Sequence, residues 1–195
     1  MLPVVAGSAL ILVGVLLVVL GPSAPTPPDV APTPLVISST IAPATGAAPP
    51  ATRDPNTPIP QGYRIQIPRL QIDLPIAEGD VTRDVDLGKT PEGFAFHLPG
   101  TSIPGLGSNT YLYAHARTGM FLTLWNARVG DQVFISTPDL RGLRYVIAEV
   151  HPRVPPEDVS WVQPTPTERL TLQTSTGPNP TDPRFVVIAV PAPPP

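Results

Sequence analysis

From residue 61 onward the hydrophobic positions of this chain fall into short alternating runs. Tyr63, Ile65 and Ile67 alternate with Arg64 and Gln66, and after Pro68-Arg69 the pattern resumes at Ile72, Leu74 and Ile76. A period of two puts successive side chains on opposite faces of an extended chain, so each run reads as a strand with one face in a core. Further runs cover residues 109–115, 132–137, 143–151, 169–175 and 185–190. Between them Gly and Pro punctuate residues 93–107, 138–142 and 177–180, which is loop chemistry. Helical spacing is scarce. Met120, Phe121, Leu124 and Trp125 stand at i, i+1, i+4 and i+5, which predicts a short amphipathic helix or helical turn with its aromatic pair in the core. A second helical turn, opened by proline, is predicted over residues 155–161. Seven or eight short strands in about 130 residues, with so little helix, predict an all-β domain: a closed antiparallel or mixed β-barrel over residues 61–190.

The beginning of the chain follows other rules. Residues 2–20 carry no charged side chain and nothing more polar than Ser8, and their length just reaches the roughly 20 residues needed to span a bilayer. Residues 1–20 are therefore expected to form a transmembrane anchor. A cleaved signal peptide is the rival, because Gly21-Pro22-Ser23-Ala24 supplies small residues, although the apolar run exceeds the roughly 7–15 residues of a signal core. The first basic residue is Arg53, so no positive flank fixes the orientation; an inward N-terminus leaves everything after residue 21 outside. The expectation is a single-pass protein of the cell membrane with its barrel on the extracytoplasmic side. Residues 21–60 hold twelve Pro and three charged residues, Asp29, Arg53 and Asp54. Such a segment buries too little apolar surface to offset its ordering entropy and predicts a Pro-rich disordered linker. At about 3.1 Å per residue, full extension would hold the domain on the order of 100 Å from the membrane. Residues 191–195 read as a Pro-rich tail.

Composition narrows the partners. A net charge of −3 offers no basic field for nucleic acid, and no such partner is expected. The chain has no Cys, which removes disulfides, thiolate metal sites and any thiol nucleophile. Residues 78–89 are acidic, with Glu78, Asp80, Asp84 and Asp86 against Arg83 and Lys89. Carboxylates suit hard cations, yet the Asp-x-Asp-x-Asp-Gly loop form is missing, so the stretch reads as a solvated loop or short helix. No metal and no cofactor are expected.

The last two strands frame the candidate chemistry. Ser175 carries the polar face of Arg169-Leu170-Thr171-Leu172-Gln173-Thr174-Ser175 to the strand's end, and Arg184 opens the next apolar run nine residues later. Upstream, His115 closes Tyr111-Leu112-Tyr113-Ala114-His115. This combination resembles the sortase family, whose signature is a Thr-Leu-x-Thr-Cys strand, an upstream His and a downstream Arg. Thr171, Leu172, Thr174, His115 and Arg184 fall on matching positions, and Ser175 stands where the family has its nucleophilic Cys. The opening Ile67-Pro68-Arg69-Leu70 and the segment with His97 and Pro99-Gly100-Thr101 also resemble sortase domains, so the likeness covers residues 61–190. Leu98-Pro99-Gly100-Thr101 mimics the start of the sorting signal that sortases cut, but Ser102 stands where that signal has Gly, and the match reads as coincidence.

The resemblance implies an eight-stranded barrel, a sorting-signal peptide and an amine acceptor as partners, and acyl transfer as the chemistry. It implies Ser175 as the nucleophile position, His115 as general acid and base, and Arg184 as the stabiliser of the anion. His97 and Thr174 become candidates for substrate binding, with His97 also readable as a side chain that fixes its own turn. The serine changes the energetics. A thiol ionises near 8.5 and a hydroxyl at roughly 13 or above, a gap on the order of 6 kcal/mol, so an ion-pair mechanism is lost. A serine attacks only when a base takes its proton, as in Ser–His pairs oriented by a carboxylate, for which Asp131 and Asp182 are candidates. Three readings stay open: a non-catalytic pseudo-sortase that binds peptide or envelope material, a slow serine acyl-transferase, and a cysteine enzyme whose Cys has been replaced by Ser.

Overall fold

The computed structural model describes residues 57–193. The expected anchor and the linker up to residue 56 lie outside the described residues. The strands are β1 (Arg64–Ile67), β2 (Ile72–Glu78), β3 (Ala95–His97), β4 (Asn109–Tyr113), β5 (Gln132–Ser136), β6 (Gly142–Val154), β7 (Arg169–Ser175) and β8 (Arg184–Pro191). One α-helical turn, α1 (Val81–Asp84), follows β2, and 3-10 turns occupy Pro68–Leu70, Leu122–Asn126 and Val159–Val162. The eight strands close into a barrel in the order β1-β2-β3-β4-β7-β8-β6-β5. The pairs β2/β3 and β4/β7 are parallel, and the others are antiparallel. This is the all-β closed barrel that the alternation predicts.

The alternating apolar residues are the barrel's filling. Ile65, Ile67, Leu112, Val133, Ile135, Leu170, Leu172 and Val187 are all fully buried in one cluster. Each such side chain contributes about 1.5–3 kcal/mol relative to leaving it in water. Ile59 joins that cluster and its N–H donates to Glu78 Oε2 at 2.7 Å, so packing begins two residues ahead of the expected start. On β8 the outward Val186 and Ile188 are also covered, forming a second cluster with Val154 and Trp161. Burial on both faces explains why this strand reads as a continuous apolar run.

Two elements differ from expectation. β3 lies in the stretch read as loop; all three of its residues are buried, so they offer no alternation to detect. The aromatic pair of the helical turn is split: Phe121 is fully buried, whereas Trp125 is 43% exposed. The turn is 3-10, and at three residues per turn Leu124 stays over Phe121 while Trp125 swings outward.

Candidate active site

The parallel pairing of β4 with β7 brings their C-terminal ends to one rim, with Tyr113 opposite Gln173. Interior positions on β7 are Leu170, Leu172 and Thr174, so Gln173 and Ser175 point out of the barrel beside Tyr111 and Tyr113. These four side chains line a cleft of about 570 Å³. His115, just past the end of β4, lines the same cleft. So does Arg184, which opens β8 and pairs with Ser175 across the β7/β8 ladder. His115 and Arg184, 69 positions apart in sequence, thus line one surface.

His115 is half-buried, and its Nε2 lies 2.9 Å from Thr90 Oγ1. Burial pushes its pKa below the ordinary value and the Arg117 charge adds to this, while Asp84 opposes through its charge and its main chain. The ring is therefore neutral at neutral pH, the state in which it accepts a proton. Neither expected carboxylate orients it. Asp131 is engaged by the Arg69 guanidinium and by the Arg128 N–H, and Asp182 Oδ2 accepts from the Asn179 N–H at 2.7 Å.

The Ser175 carbonyl accepts from Trp125 Nε1–H at 3.1 Å. Among the described residues the Ser175 hydroxyl makes no hydrogen bond to His115 or Arg184. Arg184 donates from Nη1 to the Asp182 carbonyl and from Nη2 to the Pro180 carbonyl, both at 2.9 Å. It therefore braces the β7–β8 loop, whose residues 177–180 wall the cleft, and among the described residues its other side-chain N–H donors make no hydrogen bond. Burial pushes the Tyr111 phenol up to about 12 against the opposing Arg184 charge, so it stays protonated.

The facing wall is apolar and comes from the acidic stretch. Val81, Val85 and Leu87 all line the cleft, and Val85 is 76% exposed. Asp80 caps α1 by accepting from the Thr82 and Arg83 N–H groups. The buried Asp84 carboxylate accepts from Tyr113 Oη–H at 2.7 Å and from Arg83 Nε at 2.6 Å, tying α1 to β4. Gly79 makes that approach possible, since a β-carbon there would overlap the Tyr113 hydroxyl and the His97 carbonyl. Thus the stretch is a short helix, as one of the two readings had it, but part of its charge is buried and used.

His97 and Thr174 do not line the cleft. His97 is 1% exposed, with Nδ1 3.1 Å from Glu78 Oε2 and Nε2 3.0 Å from the Ser102 carbonyl, so it fixes the turn after β3. Thr174 is fully buried inside the barrel, and among the described residues its hydroxyl has no hydrogen-bond partner. Sequence reasoning missed Thr90, Trp125 and the apolar wall. Only Trp125 had a signal, had the turn been read with a period of three.

A family model described as a sortase domain matches residues 65–192. The chain belongs to the sortase family. Among solved structures it is similar to sortase A from Corynebacterium diphtheriae, as a lid mutant, at 24% identity over 70% of this chain and 73% of that one, with a TM-score of 0.58. It is similar to sortase C-1 from Actinomyces oris at 27% identity over 67% of this chain and 73% of that one, with a TM-score of 0.56. Sortase A from Listeria monocytogenes matches at 21% identity over 67% of this chain and 86% of that one, also at 0.56. No curated protein matches. The match covers every residue of the cleft's His, Ser and Arg set, so this is a sortase domain of a transpeptidase family, and that family acts on sorting-signal peptides with amine acceptors.

Proposed function

We propose that the cleft binds a sorting-signal-type peptide in the manner of sortases, with position 175 as the site of acyl attachment. The observation that carries this reading is that His115, Ser175 and Arg184 line one cleft. In the proposed reaction the group at 175 attacks the peptide carbonyl while its proton passes to His115. The C–N bond then breaks, and His115 returns the proton to the leaving amine. An amine acceptor, or water, attacks the resulting ester and reverses the sequence. Arg184 stabilises the oxyanion with its uncommitted N–H groups. With serine at 175 the first step is slow, because no carboxylate is hydrogen-bonded to His115 among the described residues and burial outweighs the support that the Asp84 charge gives its charged form.

The test uses Leu-Pro-x-Thr-Gly-like peptides with an amine acceptor. Ser175→Cys is expected to give transpeptidation or cleavage product, the unaltered chain little or none, and Ser175→Cys/His115→Ala none. Equal turnover by the unaltered chain would make it a true serine enzyme. Silence in both would favour the second reading, a non-catalytic peptide- or envelope-binding module. That reading is supported by the missing hydrogen bond between Ser175 and His115.

The apolar run of residues 2–20 supports a single-pass membrane anchor, with residues 21–60 as a stalk and the barrel outside. Protease applied to intact cells is expected to release the barrel by cutting within the stalk. A barrel that stays protected would reverse the orientation.

A further inference from the structure

Thr90 has no counterpart among the motif residues, yet it touches the ring that the chemistry depends on. It lies just beyond α1, and it is buried, with 6% of its surface exposed. Its Oγ1 is 2.9 Å from the Asp86 carbonyl and 2.9 Å from His115 Nε2. A carbonyl oxygen can only accept, and a hydroxyl has one proton to give. With that proton on the Asp86 carbonyl, Thr90 offers His115 a lone pair, and the ring must donate from Nε2. A neutral imidazole carries a single N–H, so Nδ1 is then bare.

We infer that Thr90 is a positioning residue that holds His115 in its Nε2–H tautomer, so that Nδ1 is the nitrogen exchanging a proton with the group at position 175. This rests on the sortase reading of the cleft. Nε2 is directed to Thr90 and Nδ1 is assigned to the cleft; besides the Arg117 charge, Asp84 acts on the ring through both its charge and a main-chain hydrogen bond. The role is the one a carboxylate fills in Ser–His–Asp sites, with one difference. A neutral hydroxyl orients the ring and adds no negative charge to stabilise the imidazolium. The arrangement suits a proton surrendered by an acidic thiol better than one pulled from a serine hydroxyl. Here the proton leaves the group at 175 for Nδ1, the Nε2–H bond to Thr90 stays intact throughout, and the same Nδ1 proton goes to the leaving amine.

The tautomer is measurable without any turnover. The full chain with 15N-labelled imidazoles has three histidines, and long-range proton–nitrogen correlations identify the protonated nitrogen of each, with His115→Ala assigning the signal. The expected result is a single His115 species protonated at Nε2. Thr90→Val is expected to give a mixture of tautomers, and Thr90→Ser to restore the single species. In the Ser175→Cys background, Thr90→Val should lower kcat by roughly tenfold with KM unchanged, the effect typical of losing a partner that orients a functional His, with rescue by Thr90→Ser. A His115 ring protonated at Nδ1 in the unaltered chain would overturn the proposal even if Thr90→Val fails to fold. An unchanged pattern in a folded Thr90→Val would do the same. Loss of activity in Ser175→Cys with the Nε2–H tautomer intact would instead count against the catalytic reading of the cleft, leaving the Thr90 geometry standing.

Discussion

The turn at His97 and the cleft edge at His115 are built from the same parts. Each histidine sits at the end of a strand with Nε2 against a threonine hydroxyl, Thr101 for His97 at 3.2 Å and Thr90 for His115 at 2.9 Å. Each threonine donates onward to a carbonyl slightly earlier in the chain, Leu98 and Asp86 respectively. The two differ in what surrounds the rest of the ring. At His97 the other nitrogen meets Glu78, Nε2 also meets the Ser102 carbonyl, and the ring is closed off from solvent. At His115 the ring is half-buried beside an open cleft, with no carboxylate paired to it among the described residues. A histidine whose polar atoms are all engaged is a brace; one with a nitrogen left for the cleft can move a proton.

The largest expected effect separates the two histidines by chemistry. In an active Ser175→Cys background, His115→Ala should cost roughly 10²–10⁴ in kcat/KM, the usual value of a general acid–base, while His97→Ala should leave kcat nearly unchanged. If His97→Ala lost activity as deeply while remaining folded, the comparison would be wrong. Stability should show the reverse order. His97→Ala leaves buried partners unsatisfied and a void behind it, so urea unfolding should show a loss on the order of 3 kcal/mol, against less than about 1 for His115→Ala.

The smallest effect is a pH dependence that belongs to His115. Its pKa in the folded state lies below the unfolded value of about 6.5, so between the two the unfolded chain binds more protons and stability rises with pH. The contribution is fully present above the unfolded value and is lost as pH falls through it toward the folded one. Urea unfolding from about pH 8 to 5 should therefore show the unaltered chain losing stability relative to His115→Gln on the acid side of about 6.5. Parallel curves for the two proteins would break this assignment.

How far these features were legible in the sequence depended on whether the physics was local. Strand positions follow from alternation between neighbours, and β1, β2, β5 and β7 were readable because one face of each is in the core. β3 was not, because all three of its residues are buried, which leaves no alternation to read over so short a run. The His, Ser and Arg set was legible through its likeness to a family motif, since no local signal joins His115 to Ser175. Thr90 and the wall at Val81, Val85 and Leu87 were invisible for a different reason. The wall reaches the cleft, and Thr90 reaches His115, on a segment that the Tyr113–Asp84 hydrogen bond ties to β4, a contact between residues 29 apart whose types give no hint of it. Trp125 was misread as core by applying an α-helical period to a 3-10 turn.

The parallel pairing of β4 and β7 also governs how the molecule comes into being. β5 and β6 lie between the two strands in sequence, and β8 follows them, so β4 has no permanent neighbour on that side until β7 has been made. During synthesis, emerging N-terminus first, the strand Asn109–Tyr113 stands as an open edge bearing two tyrosines and a leucine. Closing it requires bringing together two distant stretches of chain, an entropic cost that is met before any pairing rewards it. The rim that carries the chemistry is thus among the last surfaces to be completed. A chain cut short before residue 169 would possess all three histidines, every residue of α1 and no cleft.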